Sequence, residues 1–308
     1  MTGLAQAGFA EAIGRPLLGG RDFAAAVGKG MGSGHGFAAG KLGPTERAWL
    51  AYPVLQARDV GDRRLRAFEL SLGARSLRHA GVWPTDPGFQ QRFAGEFARS
   101  VGELDAIGIF ADAFDESLDV LRFHEPPGEL MRFEDQEPDR SVDAGPGDCW
   151  LEHLRGRRIV LVCPFADLLR ERAERDTYEA VWESIGKRWF EPEAVASVEL
   201  PYGFDPATQE RYADALELLD VVDERVAALE FDFALIAAGG LGIPLAARVK
   251  RRGGTAISLG GHLQVLFGVH GRRWLKRPEW RDTYINDAWV GLPDRYRPDP
   301  ALTGEDYW

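Results

Sequence analysis

The second half of the chain alternates short apolar runs with longer amphipathic stretches. Apolar and β-branched residues fill the runs and predict four buried strands, at residues 158–164, 195–200, 231–240 and 255–261. In ADLLRERAERDTYEAVWESIG and ATQERYADALELLDVVDERVAAL, apolar residues recur at spacings of three and four, which predicts one long helix in each. Strands that alternate with helices at these lengths indicate an α/β, Rossmann-like fold, with a mostly parallel sheet and helices on both faces.

The first half of the chain predicts a loop, one further strand and a helical insertion. Glycine at every second position in GKGMGSGHG, residues 28–36, indicates a flexible loop, and residues 35–41 follow as a short strand. Helical spacing then dominates residues 46–123, including LRAFELSLGARSL and FQQRFAGEFARSVGELDAIGIF. We expect these helices to form an insertion in the sheet domain.

Two segments without clear periodicity define the domain organisation. Residues 124–148 are acidic and rich in proline and glycine, and they predict a long loop. Residues 276–308 are too aromatic for a disordered tail and too broken for a helix. We therefore expect a single domain over residues 1–275, with residues 276–308 wrapping its surface.

The net charge of the chain indicates which classes of binding partner are expected. The 308-residue chain carries a net charge of −11 and has an isoelectric point of about 5.1, whereas nucleic acids and anionic membranes attract basic proteins. We therefore expect no nucleic-acid partner. No apolar run is long enough to span a bilayer, and the N-terminus lacks the basic start and apolar core of a signal peptide. The sequence thus predicts no transmembrane segment and a cytoplasmic location.

Candidate chemistry collects at the ends of the predicted strands. In a parallel sheet, ligands bind beyond the carboxyl ends of the strands, and glycines that open helices there present backbone N–H groups to phosphate. Four such ends carry suitable residues: Lys41, Gly43, Thr45 and Glu46; Pro164 and Phe165; Gly239, Gly240 and Gly242; Gly260, Gly261 and His262. Because these ends lie at one edge of the sheet, we expect them to share a cleft.

The glycines in AAGGLGIPLAARV admit three interpretations. They could bind nucleotide phosphates, allow a helix to pack closely on a strand, or form a dinucleotide fingerprint from Gly240, Gly242 and Ala246. The fingerprint belongs to a first βαβ unit and is followed about 20 residues later by an acid. Ser258 and Leu259 stand at that place here, so the first two interpretations are favoured and both stay open.

Two charged segments add candidate ligands. VHGRRWLKRP places Arg272 and Arg273 beside Trp274, a combination that could clamp phosphate and stack a base, or could pair with surface carboxylates. FADAFDES contains Asp112, Asp115 and Glu116, which could bind a divalent cation but are more typical of a solvated helix face. No sequence motif supports a serine or cysteine nucleophile.

An ordered set of segments resembles a known family. The segments are KLGPTE, PTDPGFQQRFAGEF, ELDAIGIF, WLEHLRGRRIVLVCPFAD, FALIAAGGLGIPLAARVKRRGGTAISLGGHLQVLFGVHGRRW and EDYW. They resemble bacterial proteins with a GT-D-like fold, relatives of the GT-D glycosyltransferases, several of which are described as polysaccharide-biosynthesis proteins. The resemblance covers most of residues 35–308.

The resemblance implies a Rossmann-like enzyme that transfers a sugar from a nucleotide-sugar donor to a carbohydrate or other acceptor. The family's signature is an Arg-x-Gly-Asp-Gly-Glu turn, in which Asp and Glu serve a divalent metal and the donor diphosphate. Here Lys41 stands for the Arg, Gly43 for the first Gly and Glu46 for the Glu. Pro44 takes the position of the Asp and Thr45 that of the second Gly.

The proline changes what the resemblance implies about metal. Proline cannot ligate a cation, so the Asp-x-Glu pair is lost in its usual form, and dependence on Mn²⁺ or Mg²⁺ becomes an open question with Glu46 as the remaining ligand. Asp105, in ELDAIG, is a candidate substitute ligand or base. The expected roles are a general base at Glu46 or Asp105 and stabilisation of the departing nucleoside diphosphate by Lys41 and the strand-end glycines, with Arg272 and Arg273 as further cations.

Two alternatives to a glycosyltransferase remain. The first is a nucleotide- or sugar-binding protein that kept the fold without the chemistry, which the substitution at Pro44 makes credible. The second is a nicotinamide-dependent oxidoreductase built on Gly240 and Gly242.

Overall fold

Eight strands form one parallel sheet in the computed structural model, which describes residues 3–110, 114–138 and 149–303. In chain order the strands are β1 (Leu17–Leu18), β2 (Phe37–Leu42), β3 (Ala106–Ile109), β4 (Glu129–Arg132), β5 (Arg158–Cys163), β6 (Ala194–Glu199), β7 (Phe233–Ile236) and β8 (Thr255–Ser258). Their order across the sheet is β1-β4-β3-β2-β8-β7-β5-β6, and every neighbouring pair is parallel. A small second sheet pairs β9 (Val269–His270) with β10 (Val290–Gly291).

Helices cover both faces of the large sheet. The helices are α1 (Gly3–Ile13), α2 (Gly20–Gly32), α3 (Pro44–Ala57), α4 (Asp62–Ala80), α5 (Pro87–Gly102), α6 (Phe114–His124), α7 (Ala166–Arg172), α8 (Arg175–Val181), α9 (Pro206–Arg211), α10 (Ala215–Ala227), α11 (Gly242–Arg251), α12 (His262–Leu266), α13 (Arg272–Leu275) and α14 (Pro300–Thr303). The α/β, Rossmann-like architecture predicted from the sequence is confirmed, and the sheet is parallel throughout.

Two apolar layers hold the sheet between its helices. Successive strand residues point to opposite faces, so Val160 and Val162 of β5 join one layer while Ile159 and Leu161 join the other. The first layer includes α3, α5, α10 and α11, and the second includes α2, α7, α8 and α12. Burial on both faces explains why these strands are almost continuously apolar in sequence.

The strand order places a topological switch between β2 and β8. The strands from residues 17–132 lie on one side of this seam, and those from residues 158–258 lie on the other. At such a switch the chain connections leave in opposite directions and open a crevice beyond the carboxyl ends of the strands. The crevice therefore lies between Leu42, at the end of β2, and Ser258, at the end of β8.

Three strands of the large sheet lie in segments where the sequence predicts none, and those predictions are wrong. β3 interrupts the predicted helical insertion over residues 46–123, β4 lies in the predicted loop over residues 124–148, and β1 has two residues. β3 and β4 have four residues each, too few for a helical or a strand period to be distinguished. Their strand conformation comes from pairing with β2 and with each other.

The predicted glycine-rich loop is also corrected, because α2 continues through Gly28 and Gly30 to Gly32. A Cβ at Gly28 would lie 2.6 Å from the ring of His153, and one at Gly30 would lie 2.6 Å from Phe37. These glycines let α2 approach its neighbours closely, so tertiary packing outweighs the low helix propensity of glycine.

Each of the two predicted long helices is divided in the structure. The first breaks between α7 and α8, where Arg172 donates hydrogen bonds to the carbonyls of Phe267 and Ala288 at 2.7 Å each. The second breaks before Asp214, whose carboxylate accepts from the backbone N–H groups of Leu216 and Glu217 and begins α10. An N-capping aspartate starts a new helix within an otherwise unbroken apolar period.

Residues 276–303 pack their aromatic side chains against the domain. Trp280 and Trp289 are buried, and the indole of Trp289 donates a 3.0 Å hydrogen bond to the carbonyl of Val181. Within the described ranges, no helix combines the length and apolar character needed to cross a bilayer.

Candidate functional site

A cavity of about 610 Å³ opens at the carboxyl end of the parallel sheet, beside the seam between β2 and β8. All four of the strand ends predicted to converge contribute to its wall, through Lys41, Phe165, Gly239 and Gly260 among others. Its size lies within the range of small-molecule and cofactor sites. The prediction that these distant loops share a cleft is therefore confirmed.

Eight of the predicted site residues line this cavity: Lys41, Gly43, Thr45, Glu46, Gly239, Gly260, Gly261 and Arg273. Four others do not, and they are Asp105, Gly240, Gly242 and Arg272. The physical reasons differ among these four residues.

Asp105 lies at the opposite edge of the sheet, so its prediction as a base or ligand at this cavity is wrong. It directly precedes β3, which places it at the amino end of the strands rather than at the carboxyl end. Its carboxylate accepts hydrogen bonds from the backbone N–H of Ala38 at 2.9 Å and from Lys250 Nζ at 2.7 Å. These contacts hold α11 and β2 against β3.

Gly240 and Gly242 serve packing rather than ligand contact. A Cβ at Gly240 would lie 2.6 Å from the ring of Trp49 and 2.5 Å from Val82 Cγ2, and one at Gly242 would lie 2.4 Å from Ser258 Oγ. Of the interpretations left open by the sequence, close packing is the one that the geometry of these two glycines supports. A dinucleotide fingerprint would need their backbone to face the ligand.

The arginine pair at the start of α13 is also divided. Arg273 lines the cavity, whereas Arg272 is exposed and lies outside its wall. Trp274 is fully buried and packs edge-on to His262, with ring centroids 6.2 Å apart, so it offers no surface for stacking a base. Of the interpretations that the sequence left open for this segment, base stacking on Trp274 is therefore not supported.

The start of α3 brings Glu46 to the cavity. Gly43 is the N-cap residue and Pro44 occupies the first turn, where a missing backbone N–H costs nothing. Glu46 lies in the first turn of α3, where the nearby backbone N–H groups of Gly43 and of Glu46 itself favour its negative charge and lower its pKa. Gly43 makes room for this arrangement, since a Cβ there would lie 2.6 Å from Glu46 Oε2.

Burial changes the ionisation of Glu46. Desolvation raises the pKa of its carboxyl from 4.5 to about 7, against the opposing effects of the nearby backbone N–H groups of Glu46 and Gly43 and of the positive charges on Lys41 and Arg47. A carboxyl with a pKa near neutrality can both accept and release a proton at physiological pH, which is what a general base requires.

Lys41 belongs to a buried charged cluster at the base of the cavity. Its Nζ lies 3.0 Å from Glu137 Oε1, and His262 Nε2 lies 2.8 Å from the same oxygen. All three side chains are at least nine-tenths buried. Glu137 thus fixes the positions of one cation and one imidazole that both line the cavity wall.

Arginines supply further positive charge at the cavity. Arg75, near the end of α4, and Arg273 both line the wall, and both are partly buried. Neither guanidinium makes an ion pair with any carboxylate in the described part of the chain. The contact of Arg273 is with the Trp274 ring, whose centroid is 5.5 Å away. Two guanidinium groups without carboxylate partners, beside Lys41, suit an anionic ligand.

Aromatic side chains form another part of the wall. Phe110 and Phe133 stack with their centroids 3.7 Å apart, and Lys41 Nζ lies 4.4 Å from the Phe133 ring. Tyr202 and Phe204 stack at 5.0 Å in another part of the lining. Such surfaces can bind the flat face of a base or the apolar face of a sugar.

The residues of the cavity wall do not fit a divalent cation that is held by an Asp-x-Glu pair of side chains. Among the described residues, Glu46 is the one carboxylate in the cavity wall, and Pro44 stands beside it. The same part of the chain contains no group of three histidine, cysteine, aspartate or glutamate side chains that could hold a metal ion. Asp112 and the side chain of Asp115 lie outside the described residues.

Sequence reasoning missed several residues of this site, among them Glu137, Arg75 and Phe133. Glu137 and Phe133 follow β4, in a segment predicted to be a loop, and Gly108 of β3 makes room for their turn beside Lys41. Arg75 lies on an amphipathic helix, where an arginine is typical of a solvated face. The sequence signal for Arg75 was Gly81, a glycine that ends α4 with a φ of 65°. Because α4 stops there, Arg75 lies near the end of the helix.

Comparisons with known proteins find a distant likeness in fold. No protein-family model and no curated protein matches the chain. A solved structure of a selenomethionine-substituted domain of unknown function 1792 shares 12% identity with a TM-score of 0.39, over 78% of this chain and 77% of its own. Another domain of unknown function 1792, described as highly conserved and as having a distinct glycosyltransferase fold, shares 11% identity with a TM-score of 0.37, over 87% of this chain and 95% of its own.

Proposed function

We propose that this chain is a glycosyltransferase that transfers a sugar from a nucleotide-sugar donor to a glycan or other acceptor. The observation that carries the proposal is the composition of a single cavity wall. Lys41, Arg75 and Arg273 line it together with Glu46, a carboxyl whose pKa is about 7. Cations for a diphosphate and a base for a hydroxyl are the two things that sugar transfer from such a donor requires.

The positive groups are proposed to bind the donor diphosphate. Arg75 and Arg273 can each present parallel N–H donors to phosphate oxygens, and Lys41, held by Glu137, provides a fixed point charge. When the bond between the sugar and the diphosphate breaks, negative charge accumulates on the leaving oxygen. Prearranged cations lower the energy of that charge most effectively where burial excludes water.

Glu46 is proposed to act as the general base. It accepts the proton of the acceptor hydroxyl, whose oxygen then forms a bond to the anomeric carbon of the donor sugar. The bond from that carbon to the diphosphate oxygen breaks, and its electron pair leaves with the nucleoside diphosphate. The stacked pair of Phe110 and Phe133 is a suitable surface for the base or the sugar of the donor.

A second candidate function is nucleotide binding without transfer. The observation that favours it is the position of Glu46 in the first turn of α3, where an acidic side chain stabilises the start of a helix and so has a purely structural use. An oxidoreductase built on Gly240 and Gly242 is disfavoured, because both glycines pack against protein side chains.

Turnover of a panel of nucleotide-sugars by the purified chain tests the proposal. Glu46→Gln keeps the size and the hydrogen-bonding capacity of the side chain but removes the base, so we expect transfer and donor hydrolysis to fall by at least about 100-fold. Donor affinity, measured by calorimetry, should change little. Donor binding without turnover by the wild-type chain would favour the non-catalytic alternative, and undiminished turnover by the variant would exclude Glu46 as the base.

A further inference from the structure

Helix α4 carries an unusual concentration of positive charge for this acidic chain. Five of its residues are arginines, at positions 63, 64, 66, 75 and 78, against two acidic residues, Asp62 and Glu69. Glu69 is already engaged, since it accepts a 2.6 Å hydrogen bond from the Tyr52 hydroxyl. The net charge of the whole chain is −11, so this helix stands out against its surroundings.

The arginines of α4 face solvent rather than protein carboxylates. Arg63, Arg64, Arg66 and Arg78 are exposed and Arg75 is partly buried. Among the described residues none of the five has a carboxylate partner, whereas most other arginines of the chain do form ion pairs, as Arg248 does with Asp220 at 2.6 Å. Their charge is therefore available to an external anion.

The exposed face of α4 leads to the cavity. Its last turns contribute Arg75, His79 and Ala80 to the cavity wall, and the helix ends at Gly81. A Cβ at Gly239 would lie 2.6 Å from the Ala80 carbonyl oxygen, which shows how closely this end is packed against the loop after β7. From Arg63 to Arg78 the helix spans about 22 Å, long enough for several sugar units.

We infer that the exposed arginine face of α4 binds a polyanionic glycan acceptor, one that carries carboxylate or phosphate groups, and directs its end into the cavity. This inference rests on the proposed glycosyltransferase function and specifies the acceptor class. Charge complementarity is its basis, because Arg63, Arg66 and Arg78 offer planar donors that match carboxylate and phosphate.

The same face does not suit insertion into a membrane surface. A helix that lies in a bilayer interface exposes a broad apolar face, whereas Leu70 is the one large apolar side chain strongly exposed among the described residues of α4, with 66% of its surface accessible. The apolar positions Leu72 and Ala80 are buried in the protein core. A flexible anionic chain lying along the helix needs no apolar face.

Binding of an oligogalacturonate, a polyuronic acid, tests the inference, with a neutral dextran oligosaccharide and phosphatidylglycerol vesicles as the other probes. The test variant is the triple Arg63→Gln, Arg66→Gln and Arg78→Gln, in residues outside the cavity wall. The control, Arg157→Gln, Arg211→Gln and Arg225→Gln, removes the same charge from exposed positions outside α4 that likewise have no carboxylate partner among the described residues. Glutamine is nearly as favourable to a helix as arginine.

We expect the wild-type chain to bind the oligogalacturonate at low ionic strength and to lose affinity as salt is added. The α4 triple variant should weaken this binding about tenfold, while the control triple stays close to wild type. Equal weakening in both triples, equal binding of the neutral dextran, or binding of the vesicles without the oligogalacturonate would each overturn the inference.

Donor affinity separates this inference from the proposed function. The α4 triple variant should bind nucleoside diphosphate as tightly as wild type, because its substituted residues lie outside the cavity wall. If the wild-type chain binds the oligogalacturonate through α4 but binds no nucleotide or nucleotide-sugar, the docking surface stands and the proposed transfer reaction fails.

Discussion

The ionisation of Glu46 couples the cavity to the stability of the fold. In the unfolded chain this carboxyl has a pKa near 4.5, and burial raises it to about 7 in the folded chain. Between these values the folded state holds a proton that the unfolded state has released. Raising the pH through this window therefore costs stability, by about 3 kcal/mol for a shift of this size.

Glu46→Gln should remove this dependence. We expect the free energy of unfolding of the variant, relative to wild type, to increase by about 3 kcal/mol between pH 4.5 and pH 8, since wild type alone must ionise a partly buried carboxyl. Urea denaturation of both proteins across this pH range measures the difference. A constant difference would show that the carboxyl ionises in the folded chain as it does in water.

At the scale of single residues, the sequence identifies those parts of the site that are close together along the chain. Lys41, Gly43 and Glu46 lie within six positions at one strand end, so their proximity follows from a short turn. Glu137 pairs with Lys41 across 96 positions of sequence, and Arg75 reaches the wall from the far end of a helix. The local sequence around Glu137 does not predict its contact with Lys41, and the local sequence around Arg75 does not predict its position in the cavity wall.

At the scale of elements, glycines set how closely the insertion helices and the sheet approach each other. Gly240 lies against the Trp49 ring from α3 and against Val82, just after α4. Trp49 is in turn held by hydrogen bonds to Ser76 and Gln90, at 3.0 and 3.2 Å. The loop after β7 can therefore pack closely against Trp49 and Val82 only because Gly240 has no side chain.

Gly240→Ala should be destabilising, because its methyl group would lie within 2.6 Å of Trp49 and Val82 in a closed core. We expect a loss of about 2 kcal/mol in the free energy of unfolding, measured by chemical denaturation. Gly95→Ala is the matched control. Gly95 is an exposed interior residue of α5 with open space around its Cα, and alanine there should stabilise by about 0.5–1 kcal/mol. Equal effects at both sites would contradict a packing role for Gly240.

A helix or strand can be predicted from the sequence where it is long enough to show its hydrophobic period. The prediction fails where pairing with neighbouring strands determines the conformation of a short segment. β5, six residues long with four branched apolar side chains in succession, is evident in the sequence, whereas β3, four residues long, takes its conformation from its neighbours β2 and β4. Asp214 and Arg172 interrupt apolar periods that would otherwise continue as single helices. Capping and side-chain anchoring of this kind override a hydrophobic repeat.

At the scale of the whole molecule, the parallel sheet determines where a ligand is expected to bind, and the loops that follow the strands determine the charge of the cavity wall. Parallel strands alone place the cavity at their carboxyl ends, which the sequence predicts. The order β1-β4-β3-β2-β8-β7-β5-β6 is not evident in the sequence, because three of its members are too short to be recognised. The seam between β2 and β8 is therefore a finding of the structure.

A nucleoside diphosphate should stabilise the whole chain without a metal ion. We expect uridine or guanosine diphosphate to raise the melting temperature by several degrees at saturating concentration, and by the same amount in EDTA, because Lys41, Arg75 and Arg273 supply the positive charge. Differential scanning fluorimetry with and without Mn²⁺ measures this. A shift that appears only with Mn²⁺ would show that a cation, rather than these side chains, neutralises the diphosphate.

The seam between β2 and β8 has a further consequence for how the protein acquires its binding capacity. Lys41 and Glu46 come from the early part of the chain, whereas Gly260 and Arg273 are more than 200 positions later. A ribosome must therefore synthesise the chain through Arg273 before the two walls can meet. A product that ends between these two segments has one wall without the other, so we expect it to lack the cavity.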